Sequence, residues 1–190
     1  MELHLELGDA PIRHQDCCLS LSSKLLDTLT RIFTNRSPAA LSSSSPLSIL
    51  SIGSGSGLLE ATLLAHSSPG LITVEGVEVQ QPESQAPVNR YLPEQFYHTV
   101  RGTREVSPRL GDDDVSGLMF VYPRQPDLVS RYVKAVEEMY PNVTSVVWLG
   151  PVADWDDFWP CFEGSTFAIE TRSGPESGLD DYEMMAVMHR

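Results

Sequence analysis

The 190-residue chain is poor in basic residues. Its 13 lysines and arginines stand against 26 aspartates and glutamates, which leaves a formal net charge of −13. Phosphate backbones and anionic lipid surfaces repel such a protein unless a basic patch compensates. The closest group of basic residues, Arg101, Arg104 and Arg109, runs directly into the acidic stretch 112–114. We therefore expect neither nucleic acid nor a membrane among the partners.

Long apolar runs, a secretory leader and a disulfide framework are also missing from the sequence. The N-terminus has acidic residues where a leader needs basic ones, and no run approaches the roughly 20 apolar residues of a membrane-spanning helix. Cys17, Cys18 and Cys161 are an odd number of thiols with two adjacent, which is typical of a reducing compartment. These absences predict a soluble, cytoplasmic protein.

The first strongly patterned segment predicts an N-terminal helix. Its apolar residues recur at helical spacing from Leu19 to Phe33, and Asp16 is the predicted cap of the first turn. The serine-rich stretch 37–46 predicts a flexible connector. We predict that residues 1–46 form a helical extension with this connector and that residues 47–190 form a single domain.

From residue 47 onward, strand-like and helix-like segments alternate. Five strands are predicted, at 47–52, 71–79, 97–106, 117–122 and 143–149. Helices are predicted between them at 57–66, at 87–96 and after Pro126. Two further strands, 166–171 and 182–188, are joined by a polar turn and form an antiparallel pair. This alternation predicts an α/β fold with a doubly wound, mainly parallel seven-stranded sheet, whose ligand site lies beyond the carboxyl ends of the strands.

A glycine-rich loop follows the strand 47–52. Gly53, Gly55 and Gly57 alternate with serines, and glycine lets the backbone turn tightly and approach a ligand beside the amides of a helix N-terminus. About 20 residues later, Glu78 ends the next strand, where a carboxylate can accept hydrogen bonds from both hydroxyls of a ribose. The pair predicts a site for an adenosine-containing ligand. The alternative interpretation is a plain strand-to-helix turn with a solvated Glu78.

The glycine spacing separates the nucleotide-binding classes. A dinucleotide fingerprint needs glycine where Leu58 stands, and a phosphate-binding loop needs a lysine that is missing here. The remaining G-x-G-x-G pattern, followed by Glu78, resembles the first two motifs of class I S-adenosylmethionine-dependent methyltransferases. The strand pair at the C-terminus resembles the reversed last strands of that family. The resemblance covers about residues 47–190 and implies this fold, S-adenosylmethionine as cofactor, and methyl transfer.

The resemblance also implies roles for individual residues. Those implied to bind the cofactor are Gly53, Ser54, Gly55 and Gly57 on its methionine and ribose side, Glu78 at the ribose, and Val79 at the adenine. Thr103 and Glu105 are the alternatives for a polar contact to the adenine amine. Tyr122 and His98 are the catalytic candidates, the first as an aromatic residue facing the acceptor and the second as a general base.

Two positions depart from the family pattern. Ser51 stands where many members have an acid, and Tyr122-Pro123 replaces the Asn/Asp-Pro-Pro-Tyr/Phe motif of members that methylate amines.

The acids Asp154, Asp156 and Asp157 follow the fifth predicted strand, but their aromatic neighbours favour a helix packed on the core, and we predict no metal site.

The short chain leaves little room for a separate cap over the cofactor. Only the N-terminal helix and the loop 80–93 are available as a cover, and we therefore expect a small organic acceptor. The alternative is a methyltransferase-fold protein that no longer transfers methyl groups. It would serve as a binding or scaffold subunit, with a protein partner or a second copy on its open face, or would catalyse another reaction.

Overall fold

The computed structural model describes residues 5–34, 46–82 and 85–190. Two short strands near the N-terminus, β1 (Ile12–His14) and β2 (Cys17–Leu21), form an antiparallel hairpin. The strands of the main sheet are β3 (Leu47–Ile52), β4 (Ile72–Val79), β5 (Tyr97–Val100), β6 (Val115–Val121), β7 (Ser145–Pro151), β8 (Ala168–Ser173) and β9 (Glu183–His189).

The order of strands in the main sheet is β5-β4-β3-β6-β7-β9-β8. Strands β3 to β7 are parallel, whereas β9 is antiparallel to both of its neighbours, β7 and β8. The fold class predicted from the sequence is thereby confirmed, including the antiparallel C-terminal pair. The chain winds outward from β3 in both directions, and this arrangement opens a crevice at the carboxyl ends of β3 and β6.

Helices cover both faces of the sheet. They are α1 (Ser23–Thr34), α2 (Leu58–His66), α3 (Pro126–Met139) and the single-turn helices α4 (Trp155–Phe158) and α5 (Gly174–Ser177). Helices α1 and α2 pack on one face through leucines such as Leu29 and Leu63, and α3 and α4 pack on the other around Phe120 and Trp148. No helix in the described ranges has the length and apolar character needed to cross a bilayer.

The predicted first helix is wrong at its N-terminal end. The helix begins at Ser23, and Leu19 lies on β2, where it is buried as a strand residue. The cap is Ser22, whose Oγ accepts a hydrogen bond of 3.0 Å from the backbone N–H of Leu25. Asp16 lies in the turn of the hairpin instead.

The helix predicted at 87–96 is also wrong. This segment is a loop that ends in a single 3₁₀ turn, Glu94–Phe96. The side chain of Asn89 binds both the N–H and the C=O of Leu92, so the backbone is satisfied without a helix. The strand predicted at 97–106 ends at Val100.

The boundary predicted at residue 46 stays a prediction. The serine-rich connector predicted at 37–46 lies outside the described residues except for its last position.

Candidate functional site

A cavity of about 400 Å³ opens at the carboxyl ends of the parallel strands, where the chain reverses its direction of winding. Its volume lies within the range of sites for small molecules and cofactors. Several residues singled out from the sequence line it, namely Gly53, Gly55, Glu78, Val79, Thr103, Glu105 and Tyr122. The described residues that form its wall do not include Ser54, Gly57 or His98.

The glycines of the loop after β3 have different tasks. Gly53, Gly55 and Gly57 all have positive φ angles, of 78°, 58° and 79°. A Cβ atom at Gly55 would meet open space, so the backbone there is accessible from the cavity. A Cβ atom at Gly57 would lie 2.5 Å from Oδ1 of Asn89, so that glycine serves the packing of the loop 85–93 against α2.

Glu78 is the residue before the last of β4 and faces this loop. Its Oε1 lies 3.8 Å from the position that a Cβ atom of Gly53 would occupy. Burial raises the pKa of the Glu78 carboxyl, while the backbone amides of Gly55 and Val79 and the charge of Arg124 act in the opposite direction. A partly buried acceptor beside exposed backbone suits a ligand that brings its own hydroxyl donors.

Tyr122 follows β6 in a strained conformation. Its φ angle is 47°, and it is the one non-glycine residue with positive φ in the described part of the chain. Its hydroxyl donates a 2.6 Å hydrogen bond to Glu183, which is fully buried on β9 and also accepts from the Ser20 hydroxyl. Burial and this carboxylate raise the pKa of Tyr122, so its hydroxyl remains a protonated donor.

His98 is not brought to this cavity. Its Nε2 lies 2.6 Å from Oε2 of Glu75, a buried residue of β4. Glu75 pairs in turn with Arg109, which also binds Asp114. Hydrogen bonds and charges from Arg109 and His98 outweigh burial and lower the pKa of Glu75. His98 therefore belongs to an ion-pair network that ties β4, β5 and the segment before β6 together.

The hairpin β1–β2 covers the glycine loop. Cys18 lines the cavity, and the Ser56 hydroxyl donates a 2.6 Å hydrogen bond to the backbone carbonyl of Asp16. The Asp16 carboxylate accepts hydrogen bonds from Arg90 and Tyr91. The sequence led us to expect the N-terminal helix as a cover, and this is wrong: α1 packs on the face of the sheet, and Cys18 of the hairpin and Val88 of the loop 80–93 lie at the cavity.

Sequence reasoning missed a buried carboxylate behind the same loop. Glu60, in the first turn of α2, is 2% exposed and accepts a 2.5 Å hydrogen bond from the hydroxyl of Ser51. Burial raises the pKa of Glu60 to about 7. The signal in the sequence was an acid placed among Leu58, Leu59 and Leu63 on the apolar side of a helix.

The acidic stretch after β7 packs as the sequence indicates. The ring of Trp155 lies 5.1 Å from that of Trp148, and Phe158 packs on Trp148 at 5.5 Å, so α4 is anchored to the core. Across the three described ranges, no group of three His, Cys, Asp or Glu side chains is arranged to hold a metal ion.

Similarity to solved structures identifies the fold of this protein, whereas comparison of its sequence with known families finds no match. No protein-family model matches the chain, and no curated protein matches it either. The methyltransferase domain of bacterial CtHen1-CN shares 11% identity over 88% of this chain and 98% of that one, with a TM-score of 0.58. A SAM-dependent methyltransferase from Archaeoglobus fulgidus shares 12% identity over 89% and 95% of the two chains, with a TM-score of 0.53.

The small RNA methyltransferase HEN1 matches all of this chain with 27% of its own, at 13% identity and a TM-score of 0.59. The chain therefore spans about a quarter of that protein's length. Together with the strand order, these similarities show that the protein has the fold of class I S-adenosylmethionine-dependent methyltransferases. At such identities, the similarities establish the fold alone.

Proposed function

We propose that the protein is an S-adenosylmethionine-dependent methyltransferase that acts on a small organic acceptor. The observation that carries this proposal is the cavity in which Glu78 and the backbone of Gly53 and Gly55 share one wall. The fold supports it, since this crevice is the ligand site of doubly wound sheets.

The residues in the cavity fit the cofactor. Open space at Gly55 admits the ligand close to the backbone, and Glu78 offers acceptor oxygens to the ribose hydroxyls. Val79 and Val100 provide an apolar surface for the adenine, with Thr103 or Glu105 at its polar edge. When bound, the cofactor would supply an electrophilic methyl group on a positively charged sulfur.

The chain itself contributes orientation of the acceptor and exclusion of water. Methyl transfer is a direct displacement, so holding the acceptor atom in line with the methyl group supplies much of the rate enhancement. Tyr122 and Arg124 lie on the cavity wall at the end of β6, next to the apolar side chains of Val121 and Leu128. We assign Tyr122, fixed by Glu183, to positioning the acceptor.

Two observations support a small acceptor. The hairpin narrows access to the glycine loop, because Cys18 forms part of the cavity wall. The net charge of −13 opposes the approach of a polyanion such as RNA. The acceptor of a fold neighbour such as HEN1 is therefore a poor guide to the acceptor of this protein.

Ligand binding tests the cofactor assignment. We expect S-adenosylmethionine and S-adenosylhomocysteine, and not NAD, to stabilise the protein in a thermal-shift titration, by about 2.7 kcal/mol at about 100 times the dissociation constant. Gly55→Arg fills the open space at the loop and Glu78→Gln removes the carboxylate, so each should abolish or weaken the shift. The matched control is Glu138→Gln, which changes an exposed carboxylate on α3. Absence of any shift with the adenosyl ligands would contradict the proposal.

A second candidate function is cofactor binding without methyl transfer, in a subunit that serves a partner protein. The Tyr122 hydroxyl donates its one proton to Glu183, so it is not free to donate to an acceptor, and this favours the second candidate. Incubation with methyl-labelled cofactor and a panel of phenols, carboxylic acids and thiols separates the two. Transfer of label supports the enzyme, whereas tight binding with no transfer to any member supports the binding subunit.

A further inference from the structure

Glu60 is a buried carboxylate with no positive partner among the described residues. It is 2% exposed, and its carboxylate accepts a 2.5 Å hydrogen bond from the Ser51 hydroxyl and another from its own backbone N–H. Buried charges in proteins are normally paired with an opposite charge, because removal from water is costly. Glu60 has no such partner among the described residues, so its ionised form is free to pair with a positive group on a ligand.

In the part of the chain that the structure describes, the elements packed against α2 provide no positive group next to Glu60. β2 brings the thiol of Cys17, and β4 brings the carboxyl of Glu78, which opposes ionisation of Glu60. From β3 the facing group is the neutral Ser51. Helix α1 pairs Asp27 with His66 at the opposite end of α2. The groups that face Glu60 are therefore neutral or acidic.

Glu60 does not line the cavity, but it lies close to the residues that do. Its helix α2 begins directly after the glycine loop, and the charge of Glu78, on the cavity wall, raises the pKa of Glu60. Ser51 precedes Ile52 and Gly53, which line the cavity, and Cys17 precedes Cys18, which lines it too. We propose that Glu60, held by Ser51, is the counter-charge for the cationic methionine end of the cofactor. This inference rests on the proposed function and extends it, because it assigns a specificity role to a residue outside the glycine motif.

The proposal predicts a pH dependence of cofactor affinity with a defined sign. Burial raises the pKa of Glu60 to about 7, so much of the free protein carries a neutral Glu60 at lower pH. If only the ionised form pairs with the cation, affinity rises about fivefold between about pH 6 and about pH 7. A ligand without the charged end should lack this contribution.

Calorimetric titration with two ligands tests the assignment. S-adenosylmethionine carries the charged methionine end, whereas 5′-methylthioadenosine has the same adenosine part without it. We expect Glu60→Gln to weaken S-adenosylmethionine about tenfold and to remove its Glu60-dependent pH step, while 5′-methylthioadenosine binds as before. Glu138→Gln is the matched control and should leave both affinities unchanged.

A rescue variant separates charge from shape. Ser51→Asp in the Glu60→Gln protein returns a carboxylate to the same hydrogen-bonded pair, and should restore the affinity for S-adenosylmethionine. Melting temperatures check folding, and Glu60→Gln should not melt lower, since it removes a buried charge.

The outcomes are distinguishable. Unchanged S-adenosylmethionine affinity in Glu60→Gln overturns the inference and leaves the proposed function intact. The inference is also overturned if the double variant folds and binds 5′-methylthioadenosine normally, but binds S-adenosylmethionine no more tightly than the Glu60→Gln protein does. Failure of the wild-type protein to bind either ligand overturns the proposed function, and the inference with it.

Discussion

Single residues at the cavity combine backbone strain with buried charge. Tyr122 holds a left-handed backbone conformation that bulky side chains rarely adopt, and its hydroxyl is fixed by a carboxylate with no exposure to solvent. Such strain persists only where surrounding contacts over-determine it. Here those contacts are the bond to Glu183 and the 2.7 Å hydrogen bond from the Tyr122 N–H to the carbonyl of Leu149.

The Tyr122 hydroxyl is expected to stabilise the fold through Glu183. Tyr122→Phe removes one donor from a fully buried carboxylate, and we expect the free energy of unfolding to fall by about 1–3 kcal/mol. Urea denaturation measures the change, and a double-mutant cycle with Glu183→Gln isolates the pair. Tyr140→Phe is the control, because its hydroxyl makes no hydrogen bond within the described ranges. Equal effects of the two Tyr→Phe variants would contradict this role.

At the scale of elements, the hairpin is the least predictable part of the site. β1 has three residues, too few for an alternating pattern to be read, and the spacing of Leu19 and Leu26 fits one face of a helix. The sheet was predictable because its strands are apolar runs separated by loops and helices. For the Glu60–Ser51 pair, the leucines around Glu60 indicate a buried acid, but its hydrogen-bond partner depends on how α2 packs on β3.

Loosening the hairpin should speed release of the cofactor. Asp16→Ala removes the acceptor of the bonds from Arg90 and Tyr91, and we expect the dissociation rate of S-adenosylhomocysteine to rise roughly fivefold. Stopped-flow displacement measures this rate. Asp113→Ala, in the exposed loop before β6, should leave the rate unchanged. A rate in Asp16→Ala no faster than in that control would show that the hairpin does not cover the ligand.

For the whole molecule, the buried Glu60 predicts how stability depends on pH. Its pKa is raised from an ordinary 4.5 to about 7, so the folded state binds a proton that the unfolded chain has released in this interval. The contribution of Glu60 to stability is therefore present below about pH 4.5 and lost as the pH rises through about 7. Over that pH interval, the loss of this contribution lowers the free energy of unfolding by on the order of 3 kcal/mol.

Denaturation of wild type and Glu60→Gln at several pH values checks this sign. Between about pH 5 and about pH 8, the free energy of unfolding of the variant should rise relative to that of the wild type, because only the wild type must bury a charge. A difference in stability that stays constant over the range, or one that shrinks, would contradict the buried ionisation of Glu60.

The contact between Ser20 and Glu183 joins parts of the chain separated by more than 160 positions. It requires β9, which inserts between β7 and β8 after every other strand of the sheet has emerged from the ribosome. Contacts of such sequence separation form late, since the entropy of closing the intervening chain must be overcome first. We therefore expect the protein to retain a ligand under the hairpin only after β9 has joined the sheet, so that ligand retention would report on completion of the fold.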